Sequence, residues 1–140
     1  MLAGQAAWVP LVFGAGALLL MSGHLIFPPD EPQAAPATLV APAVGLLVAY
    51  LATAVLTDRP LVLALGLVTA WVVRVLRDPT RDKLAVATAF ALGGPLFEAT
   101  LSATGGFFYR RPDLLGIPIW LPALYLHVSL LTRQIALVWP

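Results

Sequence analysis

The sequence predicts an all-α fold, a polytopic bundle of about five transmembrane helices with short loops, and three observations carry that prediction. Hydrophobic residues make up 60% of the chain and charged ones only 11%, with a mean hydropathy of +0.91. Soluble domains carry charge on about a quarter of their residues. The apolar residues also fall into successive runs near the ~20 residues a helix needs to cross the hydrocarbon. Finally, the connections are so short that only helices, which bond their own backbone groups, fit a bilayer without water. The 140 residues then form a single transmembrane domain, 1–140, with no soluble domain left over.

The first run, 7–27 (AWVPLVFGAGALLLMSGHLIF), ends in the Pro-rich, acidic loop PPDEPQAAP. The N-terminus MLAGQAAW carries no Lys or Arg, so this run reads as a retained span rather than a signal peptide. The second run, 37–56, is closed by Thr57, Asp58, Arg59 and Pro60. The third, 61–76, is the shortest, and Arg74 and Arg77 are expected to snorkel to the headgroups from its end. The fourth, 84–108, is interrupted by Gly93, Gly94 and Pro95. The fifth, 117–138, has Pro118 and Pro122 in its first turns, where a missing backbone donor matters least.

Five basic residues, Arg74, Arg77, Arg81, Lys83 and Arg133, fall on one side of this arrangement, and Arg59, Arg110 and Arg111 on the other. The bias places the 74–83 loop and the C-terminus in the cytoplasm and the N-terminus outside. A net charge of +1 carries no nucleic-acid signature, and the absence of Cys removes disulfides, thiolate nucleophiles and soft-metal sites. His24 and His127 lie on different spans without further ligands around them, so no metal and no cofactor is expected.

Of the seven acidic residues, Glu98 alone is mid-span. On a helix, Ala91, Gly94, Glu98, Ser102 and Gly105 share one face, a strip of small and polar groups on which another helix or a ligand can approach closely. An isolated ionised carboxylate there would be very costly, so Glu98 is expected to be protonated or partnered. Three readings stand: a carboxyl bonding across helices, a wall of a ligand cavity, or proton chemistry with His127 as the second group. Trp8, Trp71, Trp120, Trp139 and Tyr109 sit mostly near span ends, where amphipathic rings prefer the interface. In the loop YRRPDLLG, Pro112 and Asp113 are expected to nucleate a turn.

These residues resemble the Insig (insulin-induced gene) family of membrane sterol sensors. The last third carries most of the resemblance, through Gly106, Pro112, Asp113, Leu114, Trp120, Leu121 and Pro122, followed by Arg133 and Gln134 in TRQIA. Ala7, Trp8, Val9, Pro10 and Gly14 match near the start, and Trp71 with Asp78 and a basic run match in the third span. The eukaryotic members have a further N-terminal span, and this chain begins where their second begins, which agrees with an N-terminus placed outside. Where the family has a Gln in its penultimate span, this chain has Glu98.

The resemblance implies a protein that holds a neutral lipid, of sterol or diacylglycerol type, between its helices as a sensor or regulator rather than an enzyme, and the compact, Ala-rich chain with minimal loops points to a bacterial inner-membrane homologue. Trp8, Trp71, Glu98, Ser102 and Tyr125 are the expected lipid-lining residues. Asp78 is the expected contact to a membrane protein partner, and Gly14, Gly16 and Gly23 offer small faces to another copy of the chain. The alternative is a small membrane enzyme acting on lipids, with Glu98 and His127 as its acid and base.

Overall fold

The structure, a computed structural model, describes residues 34–138. The first predicted span, 7–27, with Trp8, Gly14, Gly16, Gly23 and His24, lies outside the described residues, as does Trp139. Among the described residues every regular element is helical: a 3-10 turn over Pro36–Leu39, α1 over Val40–Leu56, α2 over Pro60–Leu76, α3 over Arg81–Ala103 and α4 over Leu121–Val138. Three helices are long and apolar enough to cross a membrane: α1 together with its 3-10 turn, α3 and α4. The shorter α2, of 17 residues, is equally apolar in character.

The helix ends follow from local chemistry. Pro60 opens α2 at a position whose amide has no intrahelical acceptor. Thr80 caps α3, its hydroxyl accepting from the Lys83 amide at 3.4 Å. α3 ends on Gly105 at φ +74, where the Gly105 and Gly106 amides bond back to the Ser102 and Leu101 carbonyls, a double closure that reverses the chain.

Two expectations are corrected here. Gly93, Gly94 and Pro95 do not interrupt the fourth span: α3 is continuous and carries Pro95 inside it, with Pro95 buried against its neighbours. Packing against protein is what lets a membrane helix tolerate the missing backbone donor. The fifth span begins at Leu121, not 117, so only Pro122 lies in its first turn, and Pro118 belongs to the preceding loop. In that loop the turn centres on Leu115 and Gly116, both at positive φ, between Leu114 and Ile117. Asp113 holds it from outside by accepting the Ile119 amide at 2.9 Å.

α4 is the hub, packing along α3 on one side and against α1 and α2 on the other. A small core of Ala49, Leu63, Leu67, Ala123 and Leu124 joins α1, α2 and α4. The alanines matter because lipid is as apolar as leucine, so close approach and interhelical hydrogen bonds hold such a bundle. Large apolar side chains face outward instead, Val55 at 79% and Leu65 at 68% exposure among them.

The two ends of the bundle are tied by polar contacts. The Ala34 amide donates to the Leu137 carbonyl at 2.9 Å, and the Gln134 side chain donates to Thr38 at 2.7 Å, so α1 starts where α4 ends. At the opposite end Arg111 pairs with Asp58. Arg59, Arg110 and Arg111 therefore share one end, and the 74–83 loop shares the other with Arg133, whose charge reaches Asp78.

Candidate functional site

Glu98 is 4% exposed, and both of its oxygens are taken. The strip that carries it packs onto α4 and the 114–117 turn. At Gly94 the Tyr125 ring lies where a Cβ would stand, so the missing side chain admits the ring. The ring's hydroxyl then reaches Glu98 Oε1, donating at 2.7 Å. Because Gly105 turns the chain back, Tyr109 also arrives over the strip and donates to Glu98 Oε2. Tyr109 is held edge-on between Phe107 at 5.4 Å and Trp120 at 6.4 Å. Burial first, then the carboxyl beside it, pushes the Tyr109 phenol above its ordinary range and keeps it a donor. Farther along the strip, Ser102 donates to the Gly116 carbonyl at 3.3 Å. Glu98 thus clamps α3, the 104–120 loop and α4 together.

His127 does not meet Glu98. Two residues beyond Tyr125, its side chain leaves α4 about 200° further round the helix, toward α2. There Nε2 donates to the Leu67 carbonyl at 2.9 Å. The expected acid and base are therefore on opposite faces of α4, each with a different partner. Ser129, also buried, turns its hydroxyl back to the Leu126 carbonyl at 2.7 Å. Among the described residues, no three His, Cys, Asp or Glu side chains converge.

Between α1 and α2 lies a partly open cleft of about 310 Å³, bordered also by His127 of α4. Ala49, Ala52, Leu63 and Leu67 line it, together with Arg74. The Arg74 guanidinium rests over Gly45, in the space a Cβ there would occupy. A shallower groove of about 470 Å³ runs along α3 from Leu96 to Ala103, bordered by Leu115 and Gly116.

Of the expected lipid-lining residues, Ser102 lines the groove on α3, while Glu98 and Tyr125 line neither depression because they are spent on each other. Trp71 lies one turn from Leu67 on α2 and lines neither depression, and its buried Nε1 has no hydrogen-bond partner among the described residues. Trp8 is outside the described residues. Asp78 is 75% exposed and engaged by Lys83, whose ammonium also donates to the Asp78 carbonyl at 2.7 Å. That pairing holds the Asp78 carboxyl below its ordinary range.

Sequence reasoning missed Tyr109 as a Glu98 partner, and it missed the cleft with Arg74 and His127. The Thr-Gly-Gly signal after Ala103 could have placed Tyr109, since a glycine helix stop sends the next residues back along the helix. No comparable signal announces the cleft, whose lining comes from α1, α2 and α4 together. Neither a protein-family model, nor a curated protein, nor a solved structure matches the chain.

Proposed function

We propose that this chain is an Insig-like integral membrane protein that holds a neutral lipid, of sterol or diacylglycerol type, in the cleft between α1 and α2. One observation carries the reading: the cleft is partly open and mostly apolar, lined by small and aliphatic residues of α1 and α2, with Arg74 and His127 as its polar groups. A ligand entering from the bilayer keeps its chains in a mostly apolar setting, and a cavity of about 310 Å³ lies within the usual range for small-molecule sites. The one charged group, Arg74, comes from near the end of α2, and its guanidinium lies over Gly45 of α1.

With the 7–27 run as a fifth span, the N-terminus lies outside a bacterial inner membrane and the C-terminus in the cytoplasm. Filling the cleft favours one spacing of α1 and α2, and a membrane partner at Asp78 or a second copy of the chain reads that spacing. Gly66 supplies a clean test, because it lines the cleft and nothing lies within 4 Å of where its Cβ would be. Gly66→Leu has room for its Cβ, carries its branched end into the cleft and removes a weak helix former. Thermal unfolding of the purified wild type should be raised by added dioleoylglycerol or cholesterol, and that of Gly66→Leu should not respond. Equal responses in the two proteins contradict the assignment.

A further inference from the structure

Arg74 lines the α1–α2 cleft, and among the described residues no carboxylate pairs with it. A guanidinium stays charged in a protein and has only donors to offer, so beside apolar walls it calls for an anion. The described carboxylates are engaged elsewhere. Asp58 meets Arg111, Asp78 meets Lys83, Glu98 meets its two tyrosines, and Asp113 accepts the Ile119 amide. Asp82 opens α3, whose packing partner is α4. Asp30 and Glu31 lie outside the described residues.

The position of the guanidinium is specific. Arg74 is in the last turn of α2, from where a long side chain can extend to the headgroups. Instead it crosses to α1 and lies over Gly45, in the space a Cβ there would fill. Arg77, one turn further on, is near enough for its charge to act on Arg74. Like charges at this spacing oppose the helix, and an anion shared between them removes the repulsion. Around the pair the surface is apolar: Val44 and Val48 of α1 and Val73 and Leu76 of α2 are all exposed. An anion arriving there is flanked by surface that acyl chains cover better than water does.

We infer that Arg74, together with Arg77, holds the phosphate of an anionic phospholipid at the edge of the cleft, with the lipid's chains lying along the exposed apolar faces of α1 and α2. Basic pockets between membrane helices take acidic headgroups in this way, and the planar guanidinium fork matches two phosphate oxygens at once. This site goes beyond the neutral-lipid reading and needs only that α1 and α2 face a bilayer. Gly66, the probe of that reading, is eight residues or ~12 Å back along α2 from Arg74.

The test is thermal unfolding of the full chain in dodecylmaltoside micelles, titrated with dioleoylphosphatidylglycerol, with dioleoylphosphatidylcholine, or with inorganic phosphate. The wild type should be stabilised by phosphatidylglycerol well before phosphatidylcholine, whose choline offsets the phosphate charge, and sodium chloride should weaken the response. Loss of a charge-assisted hydrogen bond should raise the half-saturating phosphatidylglycerol concentration about 10- to 100-fold in Arg74→Gln. Arg74→Lys, a point charge without the fork, should recover part of it. Gly45→Ala, which displaces the guanidinium and keeps every charge, should also weaken the response, while Arg81→Gln and Gly66→Leu should respond as the wild type does. Equal stabilisation by the two phospholipids, or an unchanged response in Arg74→Gln, overturns the site and leaves the neutral-lipid reading in place. Equal stabilisation by inorganic phosphate assigns the pair to a soluble anion and overturns the lipid. Should Arg74→Gln fail to fold, Gly45→Ala and the wild-type comparison decide.

Discussion

Removing the Glu98 carboxyl should weaken the bundle by an amount that its two tyrosines report. Tyr109 and Tyr125 each donate one hydrogen bond to it, and the carboxyl is 4% exposed, so water cannot replace either bond. Interhelical hydrogen bonds in membrane bundles contribute about 0.6 kcal/mol on average and ~1.7 at most. Tyr125→Phe and Tyr109→Phe should therefore each cost about 1 kcal/mol, since the rings and the edge-on contacts of Tyr109 with Phe107 and Trp120 survive the loss of a hydroxyl. Glu98→Leu should cost about 2–3 kcal/mol, having removed both bonds and left two phenols without acceptors. In the Glu98→Leu background the tyrosine substitutions should then be silent or slightly stabilising, because each removes a phenol that has lost its acceptor. The assay is reversible unfolding of the purified protein in mixed micelles, run as a double-mutant cycle. If Tyr125→Phe costs the same with and without Glu98, the carboxyl is not the partner that holds α4 to α3.

The glycines of α3 supply a matched pair: Gly94→Ala should lower the melting temperature, because the Tyr125 ring it would strike is pinned by Glu98 and overpacking costs about 1–3 kcal/mol. Its neighbour Gly93 has nothing within 4 Å of a built Cβ, so Gly93→Ala should raise the melting temperature through helix propensity alone. At the 77–83 turn the Asp78 pKa is depressed by Lys83, so its stabilising contribution is fully present above the ordinary Asp value of about 3.9 and is lost as pH falls through the lowered one. Carboxyl NMR titration should show Asp78 returning upward to the ordinary range in Lys83→Ala; an unchanged titration would remove the pair from the account. The chain has no cysteine, so single cysteines at Arg81 and Arg111 can be labelled with a membrane-impermeant maleimide in intact cells. Arg111→Cys should react and Arg81→Cys should not; the reverse pattern inverts the orientation.

The helical class and most span positions were legible because they depend on composition and run length, which the chain states directly. Val40–Leu56 and Pro60–Leu76 lie within a few residues of the runs expected for them, and the Pro and charged residues between them account for the break. The interruption expected at Gly93, Gly94 and Pro95 does not occur because Pro95 is buried in the bundle, and local sequence does not say what covers a proline. For Glu98 the sequence exposed the residue and its small strip, and the need for a partner, but not which partner. Tyr125 was close to hand on a facing helix, whereas Tyr109 depended on a chain reversal at Gly105. The pairing of His127 with Glu98 that the alternative reading needs is not the one the fold makes. Only the rotation of α4 decides that it faces Leu67, and rotation is set by packing, not by local sequence.

The most direct test of the lipid-binding account is mass spectrometry of lipids extracted from gently purified protein, compared with the bulk membrane of the same cells, for the wild type and for Gly66→Leu. The account predicts that the wild type is enriched in one neutral lipid and that Gly66→Leu has lost it. A wild type whose lipids mirror the bulk membrane, or a Gly66→Leu protein that keeps the same enrichment, contradicts it.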